Sequence, residues 1–380
     1  MAIMRVRTGI RLACCMLPMA LVSPAHAQTV ESSPPPRVIQ VAPRATSKGV
    51  YTMSTKPVWD IGGLNDSEED EFDHKNSSVR AVMLASGGLA VIDVNKVRLF
   101  DARRIQFAVV GRFGHGPNEF AQIDELCRMR GDTIVVVDQN FRLTVISPRS
   151  TIVRQWPTEA HGSLAGSCFD DGTLLLSKRS PGTAAQASRM LSRVDLTGKV
   201  VRALGAFPTT LYGTTRVSPV ILSRADSSFF IADSKTLEIR RYSKDGLLFS
   251  VLKLNEKQET MTGDALRPDI APRYTPGVPP PAMPKLTQVT VWPYYMSVLH
   301  DESGRWWIRD YPRDFMKDPQ VWTAIDSAGK LLGRLAIPHG KTPEYVQVSA
   351  FTANGVFVKR RDADGAVHFT LYNLSLKPGP

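Results

Sequence analysis

Short apolar runs that each end in a polar residue recur along this chain at intervals of tens of residues. Three clear copies couple a run ending in Asp to a second apolar run, at 89–101, 134–147 and 229–243. Looser copies of the same pair of runs lie at 174–195, 306–326 and 356–374. Repetition at such a period indicates an array of similar units, in which each unit is completed by its neighbours.

The pattern inside each repeat predicts strands. Residues 97–100 (VRLF) alternate between apolar and polar, as half-buried strands do, whereas residues 134–137 (IVVV) form the continuous apolar run of a strand covered on both faces. Glycine-containing turns such as 195–199 (DLTGK) separate the later strands of a repeat. Four antiparallel strands in each of six repeats predict an all-β fold, a six-bladed β-propeller.

The two ends of the repeat array complement each other. The last repeat stops after 369–374 (FTLYNL) without a fourth strand, while 57–63 (PVWDIGG) matches fourth strands elsewhere. We therefore expect the N-terminal strand around Trp59 to pair into the last blade and close the ring, with the propeller covering residues 55–376.

Residues 1–27 have the features of a secretory signal peptide. Arginines precede a short apolar stretch at 12–22, and small residues lead to a cleavage site after Ala27. The stretch is too short to span a bilayer stably, so the sequence predicts an exported protein, periplasmic or extracellular, without a transmembrane segment.

Two further segments carry little strand signal. Residues 28–54 include three consecutive prolines and few apolar residues, so we expect a disordered lead-in. Residues 255–288 are rich in proline and interrupt the array between blades four and five. Such an insertion is either a binding loop or lid, or an inert extension.

The charge balance excludes one class of partner. Lys and Arg number 47 against 36 Asp and Glu, a formal charge of +11 that includes the basic leader. The excess is dispersed, and the only charge run, at 66–73, is acidic, so no nucleic-acid surface is predicted. We expect a monomer.

Cys127 and Cys168 are the cysteines that follow the leader. They fall in the first strands of neighbouring repeats, and an exported protein can oxidise them to a disulfide. Against this, the repeat alignment places Cys168 opposite Arg128, one residue out of register, so that the two side chains would point apart. Two buried free thiols are the alternative.

The segment GRFGHGPNEF (111–120) resembles the loop G-x-x-G-x-G-P-G-E-F, which joins blades in secreted bacterial six-bladed propellers of the NHL-like kind. Asn118 stands where glycine is usual, and Asn also tolerates a left-handed backbone. The resemblance implies the propeller fold. It implies no single activity, because that group is largely uncharacterised and its relatives include binding modules, lactonases and lyases.

Asp residues at the ends of second strands recur once per repeat. Because they follow the repeat symmetry, we expect them to cap the following turns and not to bind a metal. The histidines show no metal-ligand spacing either, so no metal site is predicted. These acids are Asp93, Asp138, Asp233 and Asp310.

Aromatic and basic residues cluster in and just before the fifth repeat. Flat rings beside arginines can bind sugars, peptides or aromatic ligands, although such rings also fill the wedges between blades. The candidate ligand-binding residues, including two from the loop 111–120, are His115, Glu119, Tyr295, Trp306 and Arg309.

The expected function is a ligand- or protein-binding module that needs no cofactor. Its partner would be an unknown protein, peptide or carbohydrate, and no catalytic residue is named because no nucleophile elbow, P-loop or dinucleotide motif is found. The alternative is a hydrolase or lyase with a calcium or zinc ion held on the propeller axis. Its candidate ligands are Asp170, Asp171, Asp301 and Asn354. A structural component of the cell envelope is a third alternative.

Overall fold

The structure is a computed structural model in which almost every regular element is a β-strand. The predicted signal peptide 1–27 and most of the predicted insertion 255–288 lie outside the described residues. Those residues are 34–63, 72, 80–140, 142–157, 163–179, 188–208, 210–212, 215–217, 220–222, 228–233, 236–257, 259–261, 290–291, 294–313, 318–338 and 346–378.

The strands follow one another in groups along the chain. Three come first, β1 (Arg37–Val41), β2 (Val50–Met53) and β3 (Trp59–Gly62). The first set is β4 (Arg80–Met83), β5 (Leu89–Asp93), β6 (Lys96–Phe100) and β7 (Gln106–Val110). The second set is β8 (Ile123–Arg128), β9 (Ile134–Asp138), β10 (Arg142–Ile146) and β11 (Ile152–Pro157). The third set is β12 (Ser163–Cys168), β13 (Leu174–Arg179), β14 (Ser188–Val194) and β15 (Val200–Pro208).

The second half repeats this order with two short strand pairs added. After β16 (Thr210–Tyr212) and β17 (Thr215–Val217) comes the fourth set, β18 (Val220–Leu222), β19 (Ser228–Asp233), β20 (Glu238–Ser243) and β21 (Leu248–Leu254). After β22 (Thr260–Met261) and β23 (Thr290–Val291) comes the fifth set, β24 (Tyr295–His300), β25 (Trp306–Asp310), β26 (Gln320–Ile325) and β27 (Leu331–Ile337). The sixth set is β28 (Gln347–Phe351), β29 (Gly355–Arg361) and β30 (Val367–Lys377). Two 3-10 turns lie at Arg44–Thr46 and Arg130–Asp132.

Consecutive strands within each set pair antiparallel, as the sequence predicted. Glycines at the predicted turns adopt positive φ, for example Gly198 at φ 80°. Arg104 takes the equivalent position in the first set at φ 71°, where its guanidinium donates to the carbonyl of Asp101. The same tight turn therefore forms with or without glycine.

The sheet count differs from the six separate blades that the sequence predicted. The first four sets form separate sheets, whereas the fifth and sixth belong to one nine-stranded sheet. The cause is β2, which pairs parallel with β27 and antiparallel with β30. A strand with hydrogen bonds on both edges joins two sets into one sheet.

Apolar clusters lie between neighbouring sets, which gives a propeller-like arrangement. Phe120 is buried between the first and second sets, Phe229 between the third and fourth, and Trp307 between the fifth and sixth. Phe369 packs with residues of the sixth and first sets. The first strands also neighbour one another in a closed circuit, in the order β4, β8, β12, β18, β24, β28 and back to β4.

The N-terminal strand closes this circuit, as the sequence predicted. β3 pairs antiparallel with β30, and Trp59 lies opposite Leu371. Polar contacts support the pairing: Nδ1 of His368 lies 3.2 Å from Asp60, and its Nε2 lies 3.0 Å from Asp362. The hydrogen bond with Asp60 raises the pKa of His368.

The predicted disordered lead-in at 28–54 is wrong for the part that the structure describes. β1 adds parallel to β21, and β2 covers the outer edge of the fifth set. These strands bury Val41 and Tyr51, while Arg44 between them pairs with Glu256. Outer strand edges have unpaired backbone groups, and an extended segment with even a few apolar residues gains enough there to become ordered.

Candidate binding site

The candidate site lies at one end of the circuit of first strands, which we call the upper opening. Here the first strands end and turn into the second strands, at 84–88, 129–133, 169–173, 301–305 and 352–354. The turns come from five sets, so side chains far apart in the sequence meet around one space. Loops on a rigid strand scaffold commonly carry binding sites in this way.

A cavity of about 910 Å³ occupies the upper opening. Its lining is mixed: Leu126 and Phe230 are apolar, while Arg128, His300 and Asn354 are polar. A volume of this size, lined mainly by apolar groups with a few polar ones, suits a small organic ligand or a short peptide.

The Cys127–Cys168 disulfide joins the second and third sets at the edge of this cavity. The two Cα atoms are 5.7 Å apart, although Cys127 pairs with Val135 and Cys168 with Leu174, one position out of register. The one-residue offset that argued against a disulfide therefore does not keep the two cysteine side chains apart. First strands of neighbouring sets share no backbone ladder, so alignment within each sheet does not fix their relative height.

The turns of the first and second sets are joined by one carboxylate. Asp132 accepts hydrogen bonds from the backbone N–H of Ala85 at 2.6 Å and of Ser86 at 2.9 Å. Asp132 has a φ of 61°, a left-handed conformation that aims the carboxylate at the neighbouring turn. The two N–H groups lower the pKa of Asp132, against the opposing effect of its desolvation.

The third and fourth sets are joined by ion pairs. Arg193 donates to Asp171 at 2.8 Å and to Asp245 at 2.7 Å, while Lys244 donates to Asp171 at 2.6 Å. Desolvation acts in the opposite direction, but hydrogen bonds from Lys244 and Thr173 and the charge of Arg193 lower the pKa of Asp171 to about 2. The carboxylate is therefore ionised and occupied over the whole neutral range.

The fifth and sixth sets are joined by Arg305. Its Nε donates to the buried carboxylate of Asp301 at 2.6 Å, and its Nη2 donates to the carbonyls of Thr352 and Ala353 at 2.9 and 2.7 Å. Trp307 also donates its indole N–H to Asp301 at 2.9 Å. Because Asp132, Arg193 and Arg305 each bond across to a neighbouring set, the rim of the cavity is preorganised.

The backbone contributes strand edges to the cavity. β4, β8, β12, β24 and β28 each stand at the end of a sheet order, so one edge of each is turned away from its own sheet. Residues of all five, such as Val82 and Leu299, line the cavity. The upper opening therefore offers strand edges that can donate to and accept from a bound molecule.

Two predicted candidates, His115 and Glu119, lie in the loop 111–120 at the opposite end of the sets. Glu119 accepts from the backbone N–H of Gly116 at 2.8 Å and from Arg112, and the first of these bonds lowers its pKa. His115 lies 2.7 Å from the side chain of Asn140 and borders a shallow hollow of about 470 Å³. The motif residues thus shape this loop, and a binding role for them stays a prediction.

The other three candidates do not lie on an open surface. Tyr295 is 2% exposed, and Trp306 is 5% exposed with its ring 4.7 Å from that of Phe230. Both rings belong to the cluster between the fourth and fifth sets, which is the wedge-filling role that the sequence left open. Arg309 on β25 is half-buried and has interactions within the protein.

Three of the repeated acids have observed structural roles, and the first, Asp93, is buried and pairs with Arg98 at 2.8 Å. Asp138 accepts from the backbone N–H of Asn140 and of Arg142, each at 3.0 Å, which is the predicted turn cap. Asp310 instead pairs with Arg334 at 2.7 Å and with Arg44 at 2.8 Å. Burial raises the pKa of Asp310, against the opposing effect of these two arginines.

The candidate metal ligands are only partly brought together. Asp170, Asp301 and Asn354 line the cavity, but Asp301 is engaged by Arg305 and Trp307. Asp171 is bound by Lys244 and Arg193. Among the described residues, no three His, Cys, Asp or Glu side chains come close enough to hold a metal ion.

Comparisons with known proteins identify the fold and no family. No family model and no curated protein matches the sequence. A solved structure described as an exported protein of Bacteroides fragilis is similar with a TM-score of 0.56 at 10% identity, over 90% of this chain and 99% of that chain. A member of the DUF4221 family from Bacteroides vulgatus gives a TM-score of 0.50 at 10% identity, over 86% and 99%. At these identities the likeness concerns the fold alone.

Proposed function

We propose that this chain is an exported six-bladed β-propeller that binds a ligand in the cavity of the upper opening. In this proposal the nine-stranded sheet counts as two blades that share β2. Among the described residues, six first strands in one closed circuit and six apolar clusters between neighbouring sets support the count.

The cavity of about 910 Å³ is the observation that carries the binding role. Its rim is held by a disulfide, by Asp132, by the Arg193 ion pairs and by Arg305. A rim with fixed turns loses little conformational entropy when a ligand enters, which favours binding.

Export is supported by two observations of different kinds. The sequence predicts a leader at 1–27, and the structure forms a Cys127–Cys168 disulfide, which persists in oxidising compartments. Among the described residues, no helix is long and apolar enough to cross a bilayer. The proposed location is the periplasm or the cell exterior.

Ligand-observed NMR with a set of small soluble fragments tests the binding role. Saturation-transfer signals are expected for a subset of fragments and should be lost in Ala353→Trp, which places a large ring at an exposed position of the cavity rim. Ala363→Trp is the matched control, because Ala363 is exposed in the turn between β29 and β30, at the other end of the same set.

If Ala353→Trp leaves fragment binding unchanged, the cavity is not the binding site. Melting temperatures of both variants, measured beside the NMR, separate a filled cavity from a misfolded protein. If calcium or zinc raises the melting temperature and Asp170→Asn abolishes the rise, the metal-dependent hydrolase or lyase becomes the better assignment.

A further inference from the structure

Two opposite charges that have no partner among the described residues lie on neighbouring turns of the cavity rim. Arg130 is exposed in the turn after Cys127, and Asp170 is exposed in the turn after Cys168. Within the described part of the chain, neither side chain has a hydrogen-bond or ion-pair partner, and they do not pair with each other. The disulfide holds their two turns side by side.

The remaining charged groups of the cavity are already engaged. Arg128 lies 3.7 Å from Asp132, and Asp301 is bound by Arg305. Glu302 also takes part in an interaction within the protein. One cation and one anion, Arg130 and Asp170, are therefore available to a ligand.

The rest of the cavity lining suits the backbone and the apolar side chains of a peptide. Near these turns, the edges of the first strands offer backbone donors and acceptors, which can bind the peptide group of a short ligand. Between them stand apolar side chains, including Leu126, Met129 and Phe230, which can take apolar side chains of the ligand.

We infer that the cavity binds a short apolar peptide with both termini free, with Arg130 binding its carboxylate and Asp170 its ammonium group. This inference rests on the proposed ligand-binding function and names its ligand class. Guanidinium and carboxylate match in geometry, and hydrogen bonds between charged partners are the stronger ones.

Isothermal titration calorimetry with the dipeptide leucyl-leucine tests the inference. Two blocked forms serve as comparison ligands: the N-acetyl form lacks the ammonium group, and the C-terminal amide lacks the carboxylate. Each blocked form should bind about tenfold more weakly than the free dipeptide, because each loses one charged contact.

Variants assign each terminus to its residue. Arg130→Gln should erase the preference for the free carboxylate and keep the preference for the free ammonium group. Asp170→Asn should do the reverse. Arg103→Gln and Asp364→Asn are matched controls, since both residues are exposed and neither lines the cavity, and both variants should behave as wild type.

The outcomes separate this inference from the proposed function. If free and blocked dipeptides bind equally, or if none binds while fragments still occupy the cavity, the peptide assignment is wrong and the binding role stands. If neither fragments nor dipeptides respond to Ala353→Trp, both proposals are wrong.

Discussion

At the scale of the residue, Arg142 shows how one side chain fixes a whole loop. Its guanidinium donates to the carbonyls of His115 at 2.9 Å and Glu119 at 2.7 Å, and to the carboxylate of Asp138 at 2.8 Å. The Asp138 side chain has no exposed surface, so its charge is balanced mainly by this one arginine. The loop motif therefore depends on a residue outside it.

Arg142→Ala should destabilise the protein by about 3 kcal/mol, because it leaves a buried carboxylate without its counter-charge. Urea denaturation followed by tryptophan fluorescence measures the change. Arg112→Ala is the control: Arg112 pairs with Glu119 but is 80% exposed, so its loss should cost less than about 1 kcal/mol. Equal costs for the two variants would contradict this account.

Lys359 predicts a dependence of stability on alkaline pH. Burial, with the nearby charges of Arg361 and Arg80, lowers its pKa from 10.5 to about 8. Between these values the unfolded chain binds more protons than the folded chain, so the free energy of unfolding should rise as pH increases from about 8.

Lys359→Met should lack this rise, since it removes the group that titrates. Denaturation of both proteins across the alkaline range measures the difference. Lys377→Met, at an exposed position on β30, should follow the wild-type curve. Parallel curves for the wild type and Lys359→Met would contradict the prediction.

At the scale of the element, β2 acts as a shared outer strand. Tyr51 is 6% exposed and its ring lies 4.9 Å from that of Trp307, while Val50 beside it is 45% exposed. Successive side chains of a strand point to opposite faces, so one faces the core and the other the solvent.

Tyr51→Ala should cost about 3 to 4 kcal/mol, because it removes a large buried ring between the fifth and sixth sets. Val50→Ala on the same strand should change stability by no more than about 0.5 kcal/mol. Thermal denaturation of both variants decides whether the segment before Trp59 is part of the folded unit. A small effect of Tyr51→Ala would show that β2 contributes little.

At the scale of the whole molecule, closure is secured in two ways: β3 pairs with β30, and covalent and polar bonds join neighbouring sets. The disulfide is covalent and spans 41 residues, so it restricts the unfolded chain as well as the folded one.

Replacing both cysteines, Cys127→Ser with Cys168→Ser, should destabilise the protein by about 4 kcal/mol from chain entropy alone. Thermal denaturation with and without reductant measures this. The wild type should lose stability on reduction, and the double variant should not respond. A wild type insensitive to a reductant that demonstrably opens the bond would contradict the prediction.

Much of the fold could be predicted from the sequence, because short local patterns of residues are enough to identify each strand. Apolar alternation, glycine turns and the unmatched segment 57–63 give the strands, their order and the pairing of β3 with β30. The lead-in strands were missed because β1 and β2 become ordered only on outer edges that other parts of the chain provide.

The candidate site was largely out of reach of the sequence. The aromatic side chains at 295 and 306 fill the core, and Arg130 carries no local signal that separates it from ordinary turn residues. Asp170 was predicted from the sequence only as a possible metal ligand, and it does line the cavity. By itself, the sequence determined the repeating strands and the pairing of the first strand of the array with the last repeat. Strand alternation and turn residues are local features, which a few neighbouring residues are enough to show. Only the tertiary structure decided which turns share the upper opening and that Cys127 meets Cys168, because these contacts depend on how separate sheets stand against one another.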